Sequence, residues 1–300
     1  MSFPARAVRL IAICAIVVDV RRAALAQSQP PNLAWIGSMQ YATGDYIFTQ
    51  RTWSAYLSNG LTWSGNRLRL TATLPIVVQD AGWVQYGGSG MMLPTGGMAG
   101  ASSSGDGTSG NGTGGMMGGT MHGGTMTPSS NMPFSHVGIG DPVGRAEIAL
   151  VPTDAGTTQL SLVGSVKAPL SDVNHGFSTG QWDVGAGLSA SKSIGTMMLF
   201  ADAMYWSLGN PAGASLRDVV AYSVAVGHAL PGFHWSVLGN ITGATSYWPG
   251  LDAPVQAGIG VGYRLESGSS LNALGAFGLT RTAPTLSLGL GWRVPIGRAR

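Results

Sequence analysis

The side chains best suited to chemistry in this 300-residue chain fall in one short stretch. Met116, Met117, Met121, His122 and Met126 lie close together, separated by Gly and Thr. Thioether sulfurs and an imidazole are soft or borderline ligands that select Cu(I) or Ag(I) over hard cations. The surrounding segment, Gly87 to Met132, holds eight of the 13 methionines among Gly, Ser and Thr, a composition that builds no packed core. Two readings stand side by side: a loop that captures Cu(I), and a low-complexity insertion with no ligand. Elsewhere the reactive residues are dispersed. His122, His136, His175, His228 and His234 are scattered, and there is no G-x-S-x-G elbow, H-E-x-x-H helix or Walker loop. The chain reads as a non-enzyme. Gly258-Ile259-Gly260-Val261-Gly262 looks like a nucleotide loop only superficially, because alternate glycines in a strand clear space on one face and no helix follows.

A second set of polar residues is marked by spacing. In Arg67 to Ile76, the even positions Leu68, Leu70, Ala72, Leu74 and Ile76 are apolar, whereas Arg67, Arg69, Thr71 and Thr73 share the other side. Period-two alternation is strand geometry, with one face toward an apolar medium and the other toward water. The pattern returns in Gln159 to Ala168 and in Gln181 to Ser191, where Trp182, Val184, Ala186, Leu188 and Ala190 oppose Gly, Ser, Gln and Asp. On this parity Arg67, Arg69, Arg145, Glu147, Lys167, Asp183, Asp202, Arg264 and Arg293 point to the polar side. They either pair with one another or contact a solute, and the sequence leaves both open.

The elements that must position them follow from composition. The chain is 44% hydrophobic but only 10% charged, with 47 glycines. Beyond its first 20 residues no run approaches the roughly 18 consecutive apolar residues of a spanning helix. A helical membrane protein is excluded. The formal charge of +3 belongs to Arg6, Arg9, Arg21 and Arg22 against Asp19, so the remainder is neutral and nucleic-acid binding has no support. Residues 1–26 read as an export signal: Arg6 and Arg9 precede the apolar run Leu10 to Val18, and Ala24-Leu25-Ala26 has the form of a cleavage site. The only cysteine, Cys14, lies inside that signal, so the mature chain has no disulfide.

Twelve strand candidates of about 9 to 12 residues remain across 27–300, the length a tilted strand needs to cross an outer membrane. The fold expected is all-β, a transmembrane antiparallel β-barrel of outer-membrane type. A soluble sandwich also alternates, but three features oppose it. The polar faces are rich in Gly, Ser and Gln rather than Lys and Glu. Aromatics such as Trp53, Trp182, Trp206, Tyr247, Trp248, Tyr263 and Trp292 sit near strand ends, where an interfacial belt lies. Loop lengths also alternate: short links fall on one side, and longer ones on the other together with 79–140, as in barrels with short periplasmic turns and long external loops.

From Gly138 onward the chain also resembles a known family. The stretches concerned are Gly138-Ile139-Gly140-Asp141, Val166-Lys167-Ala168-Pro169-Leu170-Ser171-Asp172, Ser178-Thr179-Gly180-Gln181-Trp182-Asp183, Leu199-Phe200-Ala201-Asp202, Leu208-Gly209-Asn210-Pro211, Leu216-Arg217-Asp218 and Gly289-Leu290-Gly291-Trp292-Arg293, with Leu74 to Val78 before the long loop. They are similar to the MetA-pathway of phenol degradation family of outer-membrane transporter-like proteins. The resemblance implies a porin-like channel for passive uptake of small, hydrophobic or aromatic solutes, exported to the outer membrane of a Gram-negative bacterium. Its partners would be outer-membrane lipid, a small-molecule solute and the outer-membrane assembly machinery, and it needs no cofactor. The alternatives are a barrel whose external Met/His loop binds Cu(I) or Ag(I), and a structural barrel with an occluded lumen. The last strand is expected to close at Val294, with 295–300 trailing beyond it.

Overall fold

A computed structural model describes residues 32–46, 48, 51–80, 84–86, 92–94, 136–151, 158–173, 177–210, 216–232 and 234–297. Its strands are β1 (Asn32–Gly44), β2 (Thr52–Ser64), β3 (Leu68–Gln79), β4 (Val84–Tyr86), β5 (Met92–Pro94), β6 (Val137–Ile139), β7 (Val143–Val151), β8 (Thr158–Lys167), β9 (Asp183–Ile194), β10 (Met197–Ser207), β11 (Val219–Ala229), β12 (Trp235–Ala244), β13 (Val255–Arg264), β14 (Ser270–Gly278) and β15 (Leu286–Ile296). No helix occurs among the described residues.

All but the small β4–β5 hairpin belong to one antiparallel sheet. β6 and β7 lie end to end along β3, so the wall has twelve strands. β1 pairs with β2 on one side and with β15 on the other, from Leu33 opposite Ile296 to Thr43 opposite Leu286, which closes the sheet. The chain therefore folds as the antiparallel barrel that its alternation requires. One boundary differs from expectation. β15 continues to Ile296, because Pro295 and Ile296 still have partners in Ala34 and Leu33. Proline is tolerated there near the strand's end, where the missing N–H costs little.

The turns β2–β3, β9–β10, β11–β12 and β13–β14 are short and share one end with both termini of the sheet. The tightest, Gly195-Thr196, needs a left-handed residue, and Gly195 has φ 60°. The links 245–254 and 279–285 and the described residues of 45–51, 168–182 and 208–218 lie at the opposite end, the external one by the parity of outer-membrane barrels.

The outer face is apolar and exposed along every long strand, as in Leu57, Leu74, Leu188, Val224, Ile259 and Leu290. Aromatics form two girdles on it. Trp35 meets Trp292 with centroids 5.7 Å apart, and Trp235 meets Tyr263 at 4.6 Å, both near the short turns. Tyr41 and Trp53 stack at 6.0 Å near the external end. Three expected members of the belt are elsewhere. Trp206, Tyr247 and Trp248 are buried in an interior apolar cluster. The reason is parity for Trp206, which lies opposite inward-facing Gly185 and Val219, and loop folding for the other two.

The two faces give opposite responses to charge. Val224→Arg, outward in the middle of β11, is expected to destabilise the barrel by about 2–4 kcal/mol, whereas Ser38→Arg on the inner face of β1 costs much less. Urea unfolding in lipid vesicles, followed by tryptophan fluorescence, measures both.

Candidate functional site in the lumen

Alternation assigns each strand's inner face, and two apolar clusters then divide the lumen. Met204, Trp206, Val219 and Ala244 point inward near the external ends of β10, β11 and β12, and Tyr247 and Trp248 from 245–254 pack on them. Across the barrel Ala42, Tyr46, Phe48, Tyr56 and Val77 form the second cluster, with Phe177 against it. Leu251 touches both. The external half of the lumen is thus filled by segments folded in from the rim. Toward the short turns, Ser38, Arg69 and Asn272 face inward and are exposed, so this half is wet.

A buried polar network sits beside the plug. Lys167, at the end of β8, bonds Asp141 at 3.0 Å, Asp183 at 3.2 Å and the Thr179 hydroxyl at 2.8 Å. Asp141 also accepts from the Ser178 hydroxyl at 2.7 Å and from the Ser171 N–H at 3.1 Å, and Asp183 accepts from the Gly209 N–H at 3.1 Å. Asp141 reaches this position through a bulge: between the pairs Ile76–Ile139 and Thr73–Val143, three residues oppose two. The extra residue turns the chain and re-aims a side chain, as bulges do. One lysine between two carboxylates is a stable buried arrangement only because hydrogen bonds occupy the remaining acceptor sites. Four of the stretches quoted from the sequence, around Asp141, Lys167, Ser178 and Gly209, meet here and tie 168–182 and 208–210 to the wall. A small pocket opens next to it, lined by Tyr56, Pro75, Val77, Gln79, Gly140 and Phe177 together with Asp141 and Lys167.

The other charged residues singled out by spacing separate into groups. Glu147 bridges Arg69 at 3.0 Å and Arg145 at 2.8 Å, near the short-turn end. Asp202 accepts from the Ser223 hydroxyl at 3.0 Å. Arg67 lies in the β2–β3 turn, where its carbonyl accepts from the Ala149 N–H. Arg264 and Arg293 lie on the inner side of β13 and β15, both opposite Ser270. Spacing alone does not mark Asp141 as a site residue, because the bulge that carries it breaks the alternation that marks the others; the Asp141-Pro142 pair is the signal the sequence carries. The proposed soft-metal ligands Met116, Met117, Met121, His122 and Met126 lie outside the described residues. Among the described residues, His136 meets the Gln79 carbonyl, His228 the Thr196 hydroxyl and His234 the Arg264 carbonyl.

Tyr46 anchors 45–51 to the plug with φ 51°, a backbone conformation uncommon for a side-chain-bearing residue. Its phenol is pushed above the ordinary tyrosine value, chiefly by burial and further by Tyr56 and Asp80.

No family model matches the chain, and no curated protein matches it in sequence. Solved structures do. The crystal structure of the COG4313 outer membrane channel from Pseudomonas putida F1 aligns over 92% of this chain and 99% of its own, with a TM-score of 0.55 and 11% identity. The NanC porin aligns over 88% and 100%, with a TM-score of 0.47 and 8% identity. The first likeness places the fold among the outer-membrane β-barrels.

Two predictions follow from the network and the plug. Lys167→Met strands two buried carboxylates and is expected to cost about 3–5 kcal/mol, with faster proteolysis within 168–182; adding Asp141→Asn and Asp183→Asn recovers part of it. Because burial raises the Tyr46 pKa in the folded state, the docking of 45–51 is fully present below the ordinary tyrosine value and weakens as pH rises above it. Limited proteolysis across an alkaline pH series shows this loss in the native chain and not in Tyr46→Phe.

Proposed function

We propose that the protein is an outer-membrane channel for passive entry of small solutes with apolar or aromatic parts, closed at its external mouth by inward-folded segments. The observation that carries this reading is the division of the lumen. A closed barrel with a wet, polar half on the periplasmic side has the form of a conduit, and the plug across the other half has the form of a filter. The likeness to an outer-membrane channel of nearly the same extent supports it. So do the residue-level resemblance to the MetA-pathway of phenol degradation family and the export signal at 1–26, which together support residence in the outer membrane of a Gram-negative bacterium.

The plug determines the size of what passes. Reconstituted in planar bilayers, the native chain is expected to give small conductance steps. Trp248→Ala combined with Leu251→Ala, which thins the plug where its two clusters meet, is expected to raise conductance several-fold. Liposome swelling with a panel of aromatic and sugar solutes measures the same change. A native chain with no conductance, and a double variant with none either, would sink the channel reading.

A further inference from the structure

The register of the sheet brings together residues that are far apart in sequence. Met198, Gly227, Leu238, Gly260, Leu274 and Gly289 are successive cross-strand partners from β10 to β15, all on the inner face. Large apolar side chains therefore alternate with glycines along one line. The glycines are covered by those side chains. A Cβ on Gly227 would lie 3.4 Å from both Leu238 Cδ1 and Met198 Cε, and one on Gly260 would lie 3.3 Å from Leu274 Cδ1. Met198 and Leu238 thus reach over Gly227 from its two sides and Leu274 reaches over Gly260, in a strip that crosses four strand spacings, about 19 Å. Phe200, two residues from Met198 on the same face, is 37% exposed and Leu274 is 36% exposed. Apolar side chains open to water inside a barrel lumen, where polar residues are the norm, mark a surface that something apolar covers.

Arginines lie below this strip, toward the short turns. Arg264 and Arg293 flank Ser270 in register, two strand spacings or about 10 Å apart. Neither side chain has an ion pair or hydrogen bond among the described residues. Glu147 is already shared by Arg69 and Arg145, and Asp141 and Asp183 are held by Lys167. Among the described residues no carboxylate is paired with either arginine, Glu266 in the adjoining turn and Asp202 on the inner face of β10 included. Arg264 lies four residues along β13 from Gly260, about 13 Å, a gap that the body of a small ligand and an extended arginine side chain together would bridge.

We propose that the Met198–Leu238–Leu274 strip binds the apolar body of a small aryl or alkyl carboxylate whose carboxylate is held by Arg264 and Arg293. The proposal rests on the channel reading and names its solute class. Charge complementarity selects the anion, and the strip selects an apolar body over a sugar.

The test is a titration, by fluorine NMR, of 4-(trifluoromethyl)benzoate and of the neutral 4-(trifluoromethyl)benzamide into the full chain in lipid nanodiscs, with empty nanodiscs subtracted. Benzoate is expected to bind saturably. Arg264→Gln with Arg293→Gln should weaken it about tenfold and leave the benzamide unchanged. Leu238→Ser with Leu274→Ser should weaken both probes by about tenfold, whereas Leu238→Met with Leu274→Met, which keeps the strip apolar, retains binding. Benzamide binding as tight as benzoate, or a benzoate affinity unchanged in either weakening pair, overturns the proposal. Potassium chloride conductance of the native chain is measured in parallel. Conductance without saturable binding overturns the strip alone, and binding without conductance in both the native chain and the Trp248→Ala, Leu251→Ala variant overturns the channel reading alone.

Discussion

Every peptide group in the wall must find its hydrogen-bond partner inside the sheet, because hydrocarbon offers none. That constraint organises the rest of the molecule. It requires β1 to meet β15, it fixes the tilt and register that follow from closure, and it leaves side-chain direction as the only variable along each strand. Chemistry is then distributed by parity. Outward positions answer to lipid and its interface, whereas inward positions are free to carry charge, hydroxyls or glycine.

The interruption opposite β3 shows how the barrel uses this freedom. At Pro75 the ladder lacks a donor, and the opposing chain takes an extra residue between Ile139 and Val143 while the Gly140 N–H still bonds the Pro75 carbonyl at 2.8 Å. The irregularity delivers Asp141 to Lys167, and that bond in turn secures 168–182 inside the mouth. A local loss of regular pairing is exchanged for a fixed plug. The charges there are structural in what they touch, while the side chains of Arg264 and Arg293 make no ion pair among the described residues.

Most of the architecture was legible in the sequence, because a barrel strand's signal is local. Leu68 to Ile76, Gln159 to Lys167 and Trp182 to Ala190 each declare an apolar and a polar face without reference to any other segment. Long-range relations were not legible. Trp206 looked like a belt residue because its distance from the strand end is visible and its inward direction depends on register with Gly185 and Val219. The Met198–Leu238–Leu274 strip is invisible for the same reason, since its members meet only through the register of five strands. Asp141 was hidden by the bulge, and the folding of 245–254 into the lumen is a tertiary event that no periodicity records.

Leu251 packs against both apolar clusters, the one built on β10 to β12 and the one built on β1 to β3. Withdrawing 245–254 on its own would expose the faces of both clusters at once, and moving either cluster alone would leave Leu251 half uncovered. The two sides of the mouth are thereby coupled through a single side chain, so that neither cluster can repack without disturbing a contact of the other.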